Sequence, residues 1–157
     1  MNYAEEIGKI LTKKDLKIST AESCTGGLLS SKLTDVSGSS AYITLNIVTY
    51  ANEAKNKILG VILDEEGAVS ENCALQMAKG LYKLTKSDIC VSTTGIAGPT
   101  GGSIHKPVGL MYSTIFTKNK NKTYKVQVDE TLNRKDIKDQ FSEIVLKNIF
   151  EFVKEIY

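Results

Sequence analysis

TAESCTGG, residues Thr20 to Gly27, decides how the rest of the chain is read. It follows a strand-like run, Leu16-Lys17-Ile18-Ser19-Thr20, and leads into a helix-like one, Leu28-Leu29-Ser30-Ser31-Lys32-Leu33. A strand that turns directly into a helix is the opening of an α/β unit. Hydroxyls, a thiol, a carboxylate and a glycine pair sit at that turn, where a helix N-terminus leaves backbone N–H groups without partners and carries partial positive charge. Such a position favours an anion or a developing oxyanion, and paired glycines let a ligand approach the backbone. The same residues equally suit a plain capped turn, and both readings stand on this segment alone.

Outward from it, Tyr3, Ile7, Ile10 and Leu11 recur at helical spacing and predict an amphipathic helix over 2–14, ended by Asp15. A strand is expected over 16–20 and a helix over 25–35. Gly38-Ser39-Ser40 breaks the chain, and the β-branched, aromatic run 41–50 reads as a strand. Asn52 reads as the N-cap of a short helix closed by Gly60. Residues 61–69 read as a loop. A helix over 70–86 starts at Ser70 and places Cys73, Met77, Leu81 and Leu84 on one face; DICVSTT, 88–94, reads as a buried strand. The next segment, Gly95 to Gly109, holds five of the chain's 12 glycines and both prolines. A loop this long between two strands is expected to be functional. Strands over 108–117 and 124–129 flank a polar hairpin tip, and a helix over 132–156 buries Ile137, Phe141, Val145, Ile149, Phe152 and Ile156. The interleaving predicts an α/β (α+β mixed) fold, a single domain over 1–157 in which helices cover a mixed β-sheet.

Composition narrows the function. Twenty basic and 18 acidic residues leave a net charge of +2, which gives no electrostatic case for nucleic acid or a membrane surface. No apolar run is long enough to span a bilayer, and MNYAEEIGKI lacks the form of a signal peptide, so a cytoplasmic location is expected. Three scattered cysteines and one histidine offer neither a disulfide framework nor a metal-ligand cluster. A phosphate-handling P-loop, GxxxxGK[ST], is absent.

TAESCTGG at 20–27, GSS at 38–40 with VTYANEAK at 48–55, and GIAGPTGGSIHKPVG at 95–109 together resemble the C-terminal domain of the competence/damage-inducible protein CinA. That family includes stand-alone nicotinamide-nucleotide amidohydrolases, and the resemblance runs from the first helix to the last. It implies hydrolysis of the carboxamide of nicotinamide mononucleotide in NAD recycling, without metal or organic cofactor. A homo-oligomer, dimer or higher, is the expected assembly. The implied machinery is a serine nucleophile assisted by lysine and tyrosine, which fall on Ser40, Lys55 and Tyr50. Asn46, where the family has glycine, and Ile104-His105, where it often has an acidic pair, depart from the pattern. They keep a second function class open: a non-catalytic nucleotide-binding or assembly domain of the same fold.

The residues carry the chemistry as follows. A serine hydroxyl must lose its proton as it attacks an amide, and with no partner histidine a neutral lysine is the reasonable base. Lys55 lies in the first turn of its helix, where the dipole disfavours a cation, but burial must do most of the work of lowering a pKa from about 10.4. Tyr50, placed by the resemblance, is a candidate to relay a proton between Ser40 and Lys55 or to donate to the leaving amide nitrogen. Ser40 and Tyr50 are ten residues apart, about 33 Å if fully extended, so they meet only across a bend or through a second chain. Ser23 is the rival nucleophile. Ser23, Thr25, Gly26 and Gly27 are candidates to hold a phosphate or an oxyanion. Thr94, Gly95 and Gly98 are candidates for the ribose and phosphate. Arg134, in NRKDIKD, is a candidate partner for the substrate phosphate.

Overall fold

A computed structural model describes residues 1–157. Helix α1, Tyr3–Lys14, is capped by the Asn2 side chain, which accepts from the Glu5 N–H at 3.2 Å, and it ends on Asp15 in the left-handed conformation. Strand β1, Ile18–Glu22, is buried along its whole length. Helix α2, Leu28–Thr34, and a 3₁₀ turn, Ser39–Ala41, lead to strand β2, Ile43–Val48. Helices α3, Asn52–Leu59, and α4, Glu71–Thr85, precede strand β3, Ile89–Gly95. Strands β4, Leu110–Phe116, and β5, Asn121–Gln127, form a hairpin, and helix α5, Arg134–Ile156, closes the chain.

The five strands lie in the order β2-β1-β3-β4-β5. β1 pairs in parallel with both β2 and β3, whereas β3-β4-β5 is antiparallel. The sheet is therefore mixed, and the fold is the expected α/β class. Helices α1, α2 and α5 cover one face over a core that includes Ile7, Leu11, Leu29, Phe141 and Ile149. Helices α3 and α4 cover the other over Leu59, Cys73, Met77 and Leu81. Alternation in β3 sends Ile89 and Val91 to the first core and Cys90 to the second. Both faces of the central strands are covered, which is why β1 and β3 carry no exposed position.

Several boundaries move. β1 extends to Glu22, so only Ser23 to Gly27 form the turn, and α2 starts at Leu28. Asn52 is the first helical residue of α3 rather than its cap; Ala51 holds that place without a side-chain bond. β5 begins at Asn121, because Thr117 and Lys120 close a tighter turn through a 2.8 Å backbone bond. Leu84 is 54% exposed, beyond the reach of the second core.

The connection after β1 goes to one side of the sheet, and β3 continues to the other. Parallel strands that diverge in this way open a crevice at their C-terminal ends. Here those ends carry Ser23, just past β1, and Thr94-Gly95.

Candidate active site

The turn after β1 is organised around Glu22. Its carboxylate is fully buried and accepts from the backbone N–H groups of Gly27, Leu29 and Ser30 at 3.2, 3.0 and 2.9 Å. It also accepts from the Thr25 and Ser30 hydroxyls, each at 2.5 Å. The chain supplies its own anion to the N-terminus of α2, which removes those donors from any ligand. The expectation that Gly26 and Gly27 N–H groups face a phosphate is corrected accordingly: the Gly26 N–H goes to the Ser23 carbonyl at 3.1 Å and that of Gly27 to Glu22. Thr25 is buried and its hydroxyl is shared between Glu22 and Thr93, so it is spent on the turn. Thr94 is likewise buried, its hydroxyl donated to the Ala68 carbonyl at 2.7 Å.

Ser23 is thereby held at the rim. Its N–H donates to Thr93 Oγ1 at 3.3 Å, and its Oγ reaches the Tyr50 carbonyl at 3.5 Å. The same carbonyl accepts from Lys55 Nζ at 2.7 Å. Cβ of a helical residue points back toward the N-terminus, so a lysine in the first turn of α3 threads its amine under the β2–α3 corner. Lys55 is 1% exposed, has no carboxylate partner, and is among the largest fully buried side chains of the molecule. Burial lowers its pKa from the ordinary lysine value, against a smaller opposing effect of the Cys73 and Cys24 sulfurs. Cys24 is itself buried, and desolvation pushes its thiol up to about 12, which makes it inert as a nucleophile near neutral pH.

Ser40 is elsewhere. It lies exposed in the 3₁₀ turn before β2, and the next residue, Ala41, gives its carbonyl to Lys17 at the start of β1. Tyr50 follows the other end of β2. The six residues of the strand separate them, roughly 17 Å of extended chain. β2 stays paired with β1 along its length, with one irregularity at its start, and keeps the two at opposite ends, so within one chain the expected grouping of Ser40 with Tyr50 and Lys55 does not form. The hydroxyl that shares a partner with Lys55 is that of Ser23.

A cleft of about 190 Å³ opens beside this pair, lined by Cys24, Tyr50, Gly95, Ile96, Thr100 and Arg134 among others. Gly95 must be glycine: a Cβ there would stand 2.6 Å from the Leu110 carbonyl oxygen. Arg134 ties the walls together. Its Nη1 donates to the Gly98 carbonyl at 2.7 Å and its Nη2 to the Tyr50 hydroxyl at 3.0 Å. That pairing occupies the Tyr50 hydroxyl, so Tyr50 meets Lys55 through its carbonyl. Thr93 escaped notice as an organiser because its partners lie up to 70 residues away; the Glu22 carboxylate bonds only within the next eight residues, and its local signal was a carboxylate inside TAESCTGG. No group of histidine, cysteine and carboxylate side chains is arranged to hold a metal ion, and no helix is long and apolar enough to cross a membrane.

Residues 1–153 match the family model for the CinA C-terminal domain. The chain is 44% identical over 158 residues to a CinA-like protein of Chlorobium limicola, covering 97% of this chain and 37% of that one. It is 46% identical over 162 residues to a CinA-like protein of Chloroherpeton thalassium, covering 98% and 38%. The chain thus spans about a third of the length of the curated relatives it matches. The crystal structure of the competence/damage inducible protein CihA from Agrobacterium tumefaciens superposes with a TM-score of 0.89 at 37% identity, covering 96% of this chain and 95% of that one. The chain belongs to the CinA C-terminal domain family.

Proposed function

We propose that this member of the CinA C-terminal domain family hydrolyses the carboxamide of nicotinamide mononucleotide to nicotinate mononucleotide and ammonia, with Ser23 as nucleophile and Lys55 as base. The observation that carries the reading is the convergence of a rim serine and a buried, unpaired lysine on the Tyr50 carbonyl, beside a cleft large enough for an aromatic amide. The choice of substrate rests on the family resemblance.

The chemistry runs through this chain's own groups. The neutral Lys55 amine takes the Ser23 proton as Oγ bonds to the carboxamide carbon. Charge develops on the amide oxygen. The backbone N–H of Cys24, which lines the cleft and adjoins the attacking serine, donates to no other residue. It is the donor available to an oxyanion there. Collapse breaks the C–N bond, the leaving nitrogen takes the proton from Lys55, and ammonia departs. The resulting ester on Ser23 is cleaved by water, with Lys55 again accepting the proton and returning it to Ser23. Low exposure of Lys55 serves this cycle, because a lysine with a depressed pKa is available as the free base nearer neutral pH.

The test is ammonia release from nicotinamide mononucleotide by purified protein and three variants. Ser23→Ala is expected to lose turnover by a factor of at least about 10³, as for removal of other catalytic serines, while Ser40→Ala keeps most of it. Lys55→Arg, which holds its proton at accessible pH, is expected to be inactive yet still to bind the nucleotide. Full turnover in Ser23→Ala, or a covalent adduct on Ser40, overturns the assignment.

A further inference from the structure

The two edges of the sheet are built differently. β5 closes one side, with Lys122 and Lys125 inside the strand and Lys118 and Lys120 in the turn before it. Lysines on an edge strand keep other strands from pairing with it. β2 forms the opposite edge without such a guard: no charged residue occurs from Val36 to Asn52. The ladder of β2, and the bonds of Leu45 and Asn46, run to β1. No other segment of the chain bonds to the strand, so the backbone groups on its far side have no partner within the molecule.

The surroundings of this edge are apolar and neutral. Of the eight large hydrophobic side chains that the molecule exposes, four, Val48, Tyr50, Ile58 and Ile62, lie at the end of β2, in α3 and just beyond it. α3 covers the sheet beside β2, where Leu59 packs in one core with Leu45 and Ile47. Its exposed charges, Glu53 and Lys57, pair with each other at 2.8 Å and leave that flank without net charge. Such an edge is complementary to itself. In a two-fold pair each residue meets the same surface again, so a charged strand meets its own charge, whereas an uncharged one meets a matching row of donors and acceptors. A foreign strand that carries charge finds no counter-charge here.

We propose that β2 is the docking edge for a second copy of this chain, the two β2 strands pairing antiparallel about a two-fold axis so that the two sheets become one. The antiparallel sense sets the start of one β2 beside the end of the other. The 3₁₀ turn before one strand then lies beside the Tyr50 corner after the other, and each copy braces the corner whose carbonyl holds Lys55 in its neighbour. This pairing is independent of the reaction that the cleft performs.

Sedimentation velocity of the unaltered protein is expected to show a dimer. Nitroxide labels on Thr44→Cys and, separately, on Lys122→Cys identify the edge, since the three native cysteines are buried. With strands spaced about 4.8 Å apart, the two Thr44 labels are expected within about 20 Å of each other and the two Lys122 labels about 40 Å apart by electron paramagnetic resonance. Thr44 is exposed on β2, so a lysine there is expected to leave the fold intact. Thr44→Lys is expected to weaken the dimer by at least about tenfold, and mixing it with Thr44→Glu to recover pairing. A monomer at all concentrations, a dimer whose Thr44 labels lie far apart, or an undiminished dimer in Thr44→Lys overturns the assignment. The label distances decide the matter even if Thr44→Lys fails to fold.

Discussion

Replacing Lys55 by methionine tests the premise of the mechanism without measuring catalysis. Methionine keeps the unbranched apolar stem and nearly the volume, so the cavity term stays small. What changes is one titratable group. In the folded protein the amine is 1% exposed, and its one strong partner is a neutral carbonyl at 2.7 Å. Burial therefore lowers its pKa below the value of about 10.4 that it has in the unfolded chain. Between the two pKa values the unfolded state binds one proton more than the folded state, so stability rises with pH there, by about 1.4 kcal/mol per pH unit. Below the folded pKa both states carry the ammonium, and the full cost of desolvation is felt. The variant has none of this dependence. Against that gain stands one lost hydrogen bond to the Tyr50 carbonyl, about 1 kcal/mol. The difference in unfolding free energy between Lys55→Met and the unaltered protein is thus expected to be greatest at neutral pH, in favour of the variant, and to shrink as the pH approaches about 10. Urea unfolding of both proteins from about pH 6 to about pH 10 reads that difference. Cys24, whose thiol is pushed up to about 12, bends both curves in the alkaline range and cancels to first order in the subtraction. The pKa recovered in this way is expected to match the ascending limb of kcat/KM for the free enzyme. Parallel stability curves would mean that Lys55 titrates like a solvated lysine, and the neutral-base argument would fall with it.

Two further substitutions probe the scaffold. Glu22→Gln turns one of the two carboxylate oxygens into a donor. If the Oε1 partners Thr25, Gly27 and Leu29 are kept, the Ser30 N–H loses its acceptor. Chemical unfolding should show a loss of about 2–3 kcal/mol, and displacement of Ser23 should lower kcat by about 10–100-fold; unchanged kcat would show that the turn does not depend on this carboxylate. Gly80→Ala sets helix propensity, worth about 1 kcal/mol in favour of alanine, against a Cβ placed 2.0 Å from the Leu59 carbonyl oxygen. The clash is with backbone and should win, giving a net loss of about 2 kcal/mol and a Tm lower by about 4–8 °C by calorimetry; a rise in Tm would refute this packing of α4 against the end of α3.

Much of the fold was legible because its determinants are local. Asn2, Ser70 and Asn133 each bond an N–H three residues on, and such caps are visible as residue types at fixed offsets. The repeat in 132–156 revealed α5, with Ile137, Phe141, Val145, Ile149 and Phe152 all buried. Where the reading slipped, a longer-range term intervened. Leu84 fits the helical stripe of α4 but lies beyond the covered end of the sheet. β5 reaches back to Asn121 because β4 offers it ladder partners, a pairing that the polar composition of 117–123 conceals.

The sequence by itself determined the class of the molecule: strands alternating with capped helices, two glycine-rich loops, no metal-ligand spacing, and motifs dense enough to mark the CinA C-terminal domain family. The family resemblance also put Lys55 and Arg134 forward, and their places, in a first helical turn and at a helix start, are local facts. Only the tertiary structure shows which serine lies near them. Parallel pairing of β1 with β2 brings Glu22 level with Val48 and sets Ser23 beside Tyr50, while it leaves Ser40 at the opposite end of β2, next to Ala41, whose carbonyl accepts from Lys17. It also decided that the α2 N-terminus serves Glu22 rather than a ligand. Strand register depends on which segments share a core, and hydrophobic burial settles that over separations of 26 residues and more, beyond the reach of any motif, whereas the Glu22 carboxylate finds its partners within eight residues of itself.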